Sequence, residues 1–146
     1  MERLAIGKSS CLFKDFAHAP SKVKATTQAV KEQFPDFKLV ACLELHTYSS
    51  LDPSFLAHYQ NSMEKADLPI VFYDPEALKI KNRTPIQSQE IIDALGHPEL
   101  MVFSDPQLLK VFLMEQNYHD SVLLMMSSGN YGGLDWEALK VKVAQF

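Results

Sequence analysis

The sequence predicts an α/β fold: a Rossmann-like three-layer domain with a mainly parallel sheet flanked by helices. Short runs of apolar and β-branched residues alternate with segments in which apolar residues recur at helical spacing, which is the pattern of this class. The strand runs are almost continuously apolar, as expected of strands that helices cover on both faces. At 146 residues the chain fits one compact domain, so we expect a single domain over residues 1–146.

Five segments predict strands, and they are Ser10–Phe16, Lys38–Leu43, Ile70–Tyr73, Leu100–Phe103 and Ser121–Met126. The first predicted helix follows Pro20 with Ser21 as its N-cap and stops at Pro35, and the second opens at Asp52 and includes Met63. The remaining segments predict a helix over Ser88–Leu95 ended by Gly96, a helix over Asp105–Gln116, a last helix from Asp135 to about Val143 and, over Asp74–Pro85, a surface loop or a short helix.

Composition restricts the function classes. Hydrophobic residues make up 47% of the chain and charged residues 22%, which excludes wholesale disorder. The net charge of -4 leaves no basic stripe, so we expect no nucleic-acid partner. No apolar run approaches the ~20 residues that span a membrane. Cys11 and Cys42 lie in apolar stretches without metal-ligand spacing. We therefore expect a cytoplasmic protein with reduced thiols, no membrane contact and no metal site.

The candidate sites are the segments that follow strands, because ligands of open α/β sheets bind outside the carboxyl ends of the strands. Three such segments carry polar and glycine residues, and they are KDFAHAPS (14–21), ELHTYSS (44–50) and SSGNYGG (127–133). If the strands are parallel, all three open on the same edge of the sheet. It is this common location, rather than any single residue, that favours a ligand site.

Each loop also has a purely structural interpretation. Asp15 could satisfy a loop amide, and His18 could be a polar residue beside a helix start. The hydroxyls of the second loop could cap and solvate a turn. The glycines of the third loop could serve either a tight turn that needs positive φ or the close approach of backbone to a ligand, and they are Gly129, Gly132 and Gly133. The residues alone leave both interpretations open.

The sequence lacks two common catalytic motifs. Gly7-Lys8-Ser9 is similar to the end of a phosphate-binding loop, but that motif needs an earlier glycine with a strand before it, and the preceding residues leave no room for them. The sequence has no Gly-x-Ser-x-Gly nucleophile elbow, which argues against a serine hydrolase of the common α/β type.

The three loop segments resemble motifs of the C-terminal domain of the Mur ligase family. LFKDFAHAPSKVKATTQAV (12–30) resembles the segment that opens this domain, where a strand ends in Asp-Asp-Tyr/Phe-Ala/Gly-His-His-Pro-Thr. LVACLELHTYSS (39–50) stands in the place of the family's strand ending in Pro-His-Arg-Tyr-Ser-Arg. MMSSGNYGGLDWEALK (125–140) resembles the Met-Ser-Asn-Gly-x-Phe-Gly-Gly ending of murein peptide ligases. The three motifs occur in order and span essentially the whole chain.

This resemblance implies an ADP-forming ligase that joins an amino acid or a peptide to the carboxylate of UDP-N-acetylmuramate, in peptidoglycan synthesis or recycling. It also implies that ATP with Mg²⁺ is held mainly by the phosphate loop of a central domain that this chain does not contain. The chain would then be the acceptor-binding domain that closes over the site, with the N-terminal and central domains as its partners. Alone, it would be inactive.

The resemblance also assigns site residues. The nucleotide is expected at Asp15 and Phe16. The substrate or acceptor is expected at seven further residues, and they are His18, His46, Thr47, Ser50, Ser128, Gly129 and Asn130. Asp15 suits a ribose hydroxyl because an ionised carboxylate only accepts hydrogen bonds, and the two histidines can donate to an anionic group. No catalytic residue and no metal ligand is assigned to this domain.

The chain departs from the family pattern at four positions. Lys14 replaces the first aspartate, Ala19 replaces the second histidine, and Thr47 and Ser50 stand where alanine-adding members carry arginines. Hydroxyls cannot reproduce the bidentate binding that arginine gives to a carboxylate or phosphate. We therefore expect an acceptor other than free L-alanine, such as a peptide. The alternative is a free-standing binding module that keeps the fold without the chemistry.

Overall fold

A computed structural model describes residues 1–47, 49–80 and 84–146. The strands are β1 (Glu2–Ile6), β2 (Ser10–Asp15), β3 (Lys38–Leu45), β4 (Leu68–Tyr73), β5 (Met101–Phe103) and β6 (Ser121–Met126). The α-helices are α1 (Pro20–Gln33), α2 (Pro75–Ile80), α3 (Ser88–Leu95), α4 (Pro106–Glu115) and α5 (Trp136–Ala144), and a 3₁₀ helix covers Leu56–Tyr59.

The six strands form one sheet in the order β1-β2-β6-β3-β4-β5. The pairs β2–β6, β6–β3, β3–β4 and β4–β5 are parallel, and β1 pairs antiparallel with β2 at the edge of the sheet. Strand β6 therefore lies between β2 and β3, although it is the last strand of the chain. This arrangement confirms the predicted mainly parallel sheet and brings the carboxyl ends of β2, β3 and β6 side by side.

Helices cover both faces of the sheet, which confirms the three-layer architecture. On one face Val23 of α1 and Ile91 of α3 join the buried cluster that contains Leu124 of β6. On the other face Leu109 of α4 and Leu139 of α5 pack in a second cluster. Neighbouring residues of one strand enter opposite clusters because side chains alternate along a strand. The sheet is thus buried on both sides, as its apolar sequence requires.

Strand β1 is missing from the sequence prediction. Its residues are exposed or half-buried, and its register with β2 shifts between Arg3 and Ala5. An edge strand has only one partner and tolerates charged residues, so its sequence lacks the continuous apolar run of an inner strand. The Gly7-Lys8-Ser9 segment is the turn between β1 and β2, and the Gly7 amide donates to the Ser10 carbonyl oxygen (2.9 Å).

The N-cap of α1 is Ala19, so the prediction of Ser21 as the cap is wrong. Ala19 is extended (φ -74°, ψ 145°), and Pro20 occupies the first helical turn. The helical region is disfavoured for a residue before proline, and proline itself fits the first helical position, so the helix begins two residues earlier than a cap at Ser21 predicts. Asp105 and Asp135, at which the sequence predicts two helices to open, are the N-caps of α4 and α5, since their side chains accept from the Gln107 and Ala138 amides.

The prediction of an α-helix from Asp52 is wrong. The Asp52 side chain accepts from the Ser54 amide and hydroxyl (3.0 and 2.7 Å) in the manner of an N-cap, but the residues that follow form turns rather than an α-helix. Only Leu56–Tyr59 is helical, in the tighter 3₁₀ form. In the segment predicted as a loop or a short helix, α2 confirms the helix, and residues 81–83 lie outside the described part.

Cys11 and Cys42 are both free and buried, as predicted. Burial raises the pKa of each thiol. Within the residues that the structure describes, no helix is long and apolar enough to cross a lipid bilayer.

Replacing Leu124 by alanine should lower the free energy of unfolding by about 2–5 kcal/mol, because it deletes a fully buried side chain at the centre of the sheet. The matched control is Leu108→Ala in α4, whose side chain is 60% exposed and which should change stability by no more than about 0.5 kcal/mol. Urea unfolding of both variants measures the difference. Equal losses would contradict the assignment of Leu124 to the core.

Candidate functional site

The three loops predicted to share one edge of the sheet do so. Asp15, Leu43 and Met126 are aligned by the parallel pairing of β2, β6 and β3. The Ser127 amide donates to the Asp15 carbonyl oxygen (3.0 Å), which extends the pairing of β2 and β6 by one residue. The carboxyl ends of the three strands therefore form one continuous edge, and the loops that leave them are neighbours.

Asp15 occupies the turn after β2. Its Oδ1 accepts from the Ala17 amide (2.8 Å), which is the loop-amide role considered from the sequence, and its Oδ2 lies 3.0 Å from the Met1 amino nitrogen. A cavity of about 340 Å³ adjoins this carboxylate, with Lys14, Phe16 and Ser127 among its lining residues. Asp15 is thus both a turn residue and part of a cavity wall.

Phe16 and His18 form an aromatic pair beside this cavity. The Phe16 ring is exposed, and the His18 ring meets it edge-on with centroids 5.2 Å apart. His18 Nδ1 lies 2.8 Å from the Phe16 carbonyl oxygen, an acceptor, so the proton of the neutral ring belongs on Nδ1. His18 Nε2 is then the atom that can accept from, or when protonated donate to, a ligand. An exposed phenylalanine is a surface for stacking.

The centre of the edge is Glu44, which the sequence prediction leaves in a loop because it ends the second strand at Leu43. Glu44 is buried, with only 3% of its surface exposed. Its carboxylate accepts hydrogen bonds from the Ser127 hydroxyl and from the Tyr131 amide (3.0 Å to Oε2). A buried carboxylate is tolerated only with such partners. No alternation in the sequence singles it out, because every residue from Leu39 to Leu45 is buried.

His46 and Gly129 are brought together at this carboxylate. His46 Nδ1 lies 3.7 Å from Glu44 Oε1, and the His46 side chain is about half exposed. A Cβ added to Gly129 would lie 2.8 Å from both Glu44 Oε2 and His46 Cγ, closer than real contacts allow. Gly129 is therefore required by the close packing of two loops.

The positive-φ interpretation holds for the other two glycines of the loop. Gly132 has φ 67° and Gly133 has φ 88°, whereas Gly129 is not among the residues with positive φ. Such angles favour glycine because it has no Cβ. The three glycines therefore have two different physical causes, which their spacing in the sequence does not distinguish.

Tyr131 anchors the same loop to the sheet. Its ring is buried, and its hydroxyl lies 2.8 Å from the carbonyl oxygens of both Cys42 and Met126. Burial, and after it the Glu44 carboxylate, raises the pKa of Tyr131 well above its usual range, so the hydroxyl remains a donor. The loop is thus fixed to the ends of β3 and β6 at once.

The remaining predicted site residues divide into two groups. Ser128 is half-buried and Asn130 is exposed, so both side chains lie at the surface of the third loop. Thr47 and Ser50 bond to each other: the Thr47 hydroxyl donates to Ser50 Oγ (2.9 Å), and the buried Ser50 hydroxyl donates to the Thr47 carbonyl oxygen (3.0 Å). The two hydroxyls therefore cap the turn, which is the structural interpretation of this loop. Tyr48, which lies between them in the sequence, is outside the described residues.

Across residues 1–47, 49–80 and 84–146, no group of three or more histidine, cysteine, aspartate or glutamate side chains could hold a metal ion. The edge offers instead an exposed aromatic ring, a carboxylate, two imidazoles and the hydroxyl of Ser128. These groups can bind and orient a polar ligand.

Curated sequences similar to this chain are UDP-N-acetylmuramate–L-alanine ligases. The enzyme of Pediococcus pentosaceus is 30% identical over 119 residues, which is 82% of this chain and 26% of that protein. The enzyme of Agathobacter rectalis is 29% identical over 131 residues, 88% of this chain and 28% of that protein. The chain thus spans about a quarter of the length of the curated relatives it matches. No protein-family model matches it.

Solved structures share the fold. The murein peptide ligase of Psychrobacter arcticus superposes with a TM-score of 0.72 at 20% identity, covering 96% of this chain and 29% of that one. A second structure is a domain of a Haemophilus ducreyi protein described as a UDP-N-acetylmuramate:L-alanyl-γ-D-glutamyl-diaminopimelate ligase. It superposes with a TM-score of 0.65 at 21% identity, and the superposition covers 97% of this chain and 98% of that one. With the curated relatives, these similarities confirm the resemblance that the three motifs indicate.

Replacing Gly129 by alanine should lower the free energy of unfolding by about 1–3 kcal/mol, because the added methyl group meets Glu44 and His46 in a site without space. Changing the neighbouring Ser128 to alanine is the control and should cost no more than about 0.5 kcal/mol. Urea unfolding gives both values, and the His46 ring resonances should shift in the glycine variant alone. A tolerated alanine at 129 would show that the two loops do not pack as described.

Proposed function

We propose, from the premise that the chain belongs to the Mur ligase family, that it is the C-terminal, closing domain of an ADP-forming ligase. That ligase would join an amino acid or a peptide to the carboxylate of UDP-N-acetylmuramate. The supporting observation is the meeting of all three family motifs at one edge of the sheet, where Ser127 bonds to Asp15 and to Glu44. The other catalytic parts, the phosphate loop among them, would come from domains outside this chain.

The residues beside the 340 Å³ cavity fit the adenosine end of ATP. Phe16 is 69% exposed and offers a ring face for a base, and the Asp15 carboxylate can accept from a ribose hydroxyl. The described residues provide no phosphate loop and no ligand cluster for Mg²⁺, so the triphosphate and its metal ion would be held by the central domain. When bound, ATP supplies the phosphoryl group that activates the muramoyl carboxylate.

The second and third loops fit the acceptor side. His18 Nε2 and the half-exposed His46 can hold an anionic or amino group, and Asn130 adds an amide that both donates and accepts. Glu44 touches none of these ligands in this proposal. It positions the third loop through Ser127 and the Tyr131 amide. The contribution of the domain to the reaction is therefore orientation of the amine against the activated carboxylate.

A peptide acceptor agrees better with the second loop than free L-alanine does. Thr47 and Ser50 occupy the places of family arginines, and here their hydroxyls bond to each other. They offer no cation to the carboxylate of a small amino acid. The edge nevertheless leaves Ser128 and Asn130 accessible, and their groups are suited to the amides of a peptide.

The activity assay uses the chain with ATP, Mg²⁺, UDP-N-acetylmuramate and either L-alanine or a peptide acceptor. We expect no acceptor-dependent release of ADP, because the groups that hold the triphosphate lie elsewhere. In the intact ligase, Asp15→Ala should lower kcat/KM for ATP and His18→Ala should lower it for the acceptor, each by about 10–100-fold.

The matched controls are Asp36→Ala and His119→Ala, which change the same residue types at exposed positions away from this edge. Both controls should leave kcat/KM for ATP and kcat/KM for the acceptor within about twofold, because substitutions at exposed positions change the energy by no more than about 0.5 kcal/mol. If Asp15→Ala and His18→Ala behaved like these controls, the site assignment would be wrong. Sustained, acceptor-dependent ADP release by the chain alone would contradict its role as a domain that is inactive by itself.

The alternative, a binding module without chemistry, makes a different prediction about the coding sequence. A ligase requires a Gly-x-x-x-x-Gly-Lys-Thr/Ser segment in the same reading frame upstream of Met1. A start codon at Met1 with no such segment before it would favour the module.

A further inference from the structure

Tyr59 joins the 3₁₀ helix to the loop that carries His18. It is the last residue of that helix, and only 1% of its surface is exposed. Its ring packs edge-on against Phe55, with the centroids 6.1 Å apart. Its hydroxyl donates to the His18 carbonyl oxygen (2.5 Å), which lies 41 residues earlier in the chain. Tyr59 lies outside all three loop segments of the site, yet it bonds to one of them.

The His18 carbonyl group lies just outside helix α1. The N-cap is Ala19, and the helical hydrogen bonds begin with its carbonyl oxygen, which accepts from the Val23 amide (2.9 Å). The carbonyl oxygen of His18 therefore takes its hydrogen bond from a side chain, that of Tyr59, instead of from the helix. This bond fixes the peptide group between His18 and Ala19.

The His18 ring is held at its other end. Nδ1 lies 2.8 Å from the Phe16 carbonyl oxygen, so the ring is bonded to the backbone two residues earlier. A rotation of the His18 backbone would carry the ring away from this acceptor. The Tyr59 bond and the Phe16 bond together therefore determine the direction of Nε2, the ring atom that remains for a ligand.

The backbone around Tyr59 is fixed by its own hydrogen bonds. The Ser62 amide donates to the Tyr59 carbonyl oxygen (2.9 Å). The Asn61 amide donates to the carbonyl oxygen of Leu95 (3.2 Å), the last residue of α3. The segment that presents the Tyr59 hydroxyl is thus tied to a helix of the core, and it can serve as a support for the loop above it.

The Tyr59 hydroxyl also meets the second loop. Burial raises the pKa of Tyr59 to about 12, and a hydrogen bond with the Ser50 side chain offsets part of that rise. The hydroxyl therefore keeps its proton at neutral pH and acts as a donor. Ser50 is itself buried and bonds to Thr47. The loops that carry His18 and Ser50 are thus connected at one tyrosine.

We propose that Tyr59 is a positioning residue for the acceptor: its hydroxyl holds the first loop so that His18 Nε2 faces the acceptor. This inference rests on the proposed function, because that function gives His18 its ligand. Tyr59 is buried and touches no ligand itself, so it acts through the His18 carbonyl group. The segment that forms turns and a 3₁₀ helix in place of the predicted α-helix is therefore a support of the site.

The first test follows the ring nitrogens of His18 in the 146-residue chain by ¹⁵N resonances at about pH 8.5, where an ordinary imidazole is neutral. We expect Nδ1 to carry the proton and Nε2 to be bare, with well-separated shifts. The variant Tyr59→Phe removes only the hydroxyl. It should loosen the turn and weaken the Nδ1 bond to Phe16, so that both nitrogens share the proton and their shifts approach each other.

The matched control is Tyr118→Phe. Tyr118 is also fully buried, and its hydroxyl donates to the Leu113 carbonyl oxygen (2.8 Å) in the cluster on the opposite face of the sheet. Each variant deletes one buried bond from a tyrosine to a carbonyl oxygen, so both should lower the melting temperature by similar amounts. Only Tyr59→Phe should change the His18 nitrogens, which a general loss of stability does not affect.

The second test is kinetic and uses the intact ligase. Tyr59→Phe should lower kcat/KM for the acceptor by about fivefold and leave kcat/KM for ATP within about twofold, because it misplaces a group on the acceptor side alone. Tyr118→Phe should change neither constant. In the His18→Ala background, Tyr59→Phe should have no further effect on the acceptor, since residues that act through one group are not additive.

Unchanged His18 nitrogen shifts in Tyr59→Phe would overturn the inference, and so would equal changes in Tyr118→Phe. If His18→Ala impaired use of the acceptor while Tyr59→Phe did not, or if the two effects were additive, the inference would fail and the proposed function would stand. If His18→Ala had no effect, the proposed acceptor site would fail. The nitrogen shifts of the chain would then still decide whether Tyr59 orients the ring.

Discussion

The candidate site depends on one buried carboxylate. Glu44 has its charge at the end of the central strand β3, where only 3% of the residue is exposed, and burial of a charge is costly unless donors surround it. The donors come from the loop after β6, through the Ser127 hydroxyl and the Tyr131 amide. The same carboxylate lies beside His46 and faces the position that a Gly129 side chain would fill. One charge thus determines how two loops pack.

The sheet order explains why this charge can act on both loops. Strand β6 enters between β2 and β3, so its loop is flanked by the loops of both neighbours. The Ser127 amide bonds to Asp15 on one side while its hydroxyl bonds to Glu44 on the other. Ligands of parallel sheets bind at such edges. The three family motifs, which are far apart in the sequence, become one surface through this insertion.

Local chemistry made part of the fold predictable. Asp105 and Asp135 cap helices through bonds to amides two and three residues ahead, and Gly96 ends α3 in the left-handed conformation, so each signal lies within a few residues of its effect. The sequence did not reveal β1, whose strand character comes from pairing with β2, or the cap of α1, where the proline outweighs the serine.

The site was predictable in its location but less so in its interactions. Strand ends and motifs indicated Asp15, His18 and the glycine-rich loop, because these lie where parallel strands end. The role of Glu44 requires partners that are 83 and 87 residues away in the chain, and the requirement for glycine at 129 comes from atoms of the second loop. Such causes belong to the packed structure and leave only a weak trace in the sequence.

The central claim is that the Glu44–Ser127 bond joins the two loops, and a double-mutant cycle tests it most directly. Unfolding free energies of Glu44→Ala, Ser127→Ala and the double variant should give a coupling of about 1–3 kcal/mol, as expected of a buried hydrogen bond to a charged group. The same cycle with Ser121→Ala, a buried serine at the opposite end of β6, should be additive. Additivity within about 0.5 kcal/mol for Glu44 and Ser127 would contradict the account.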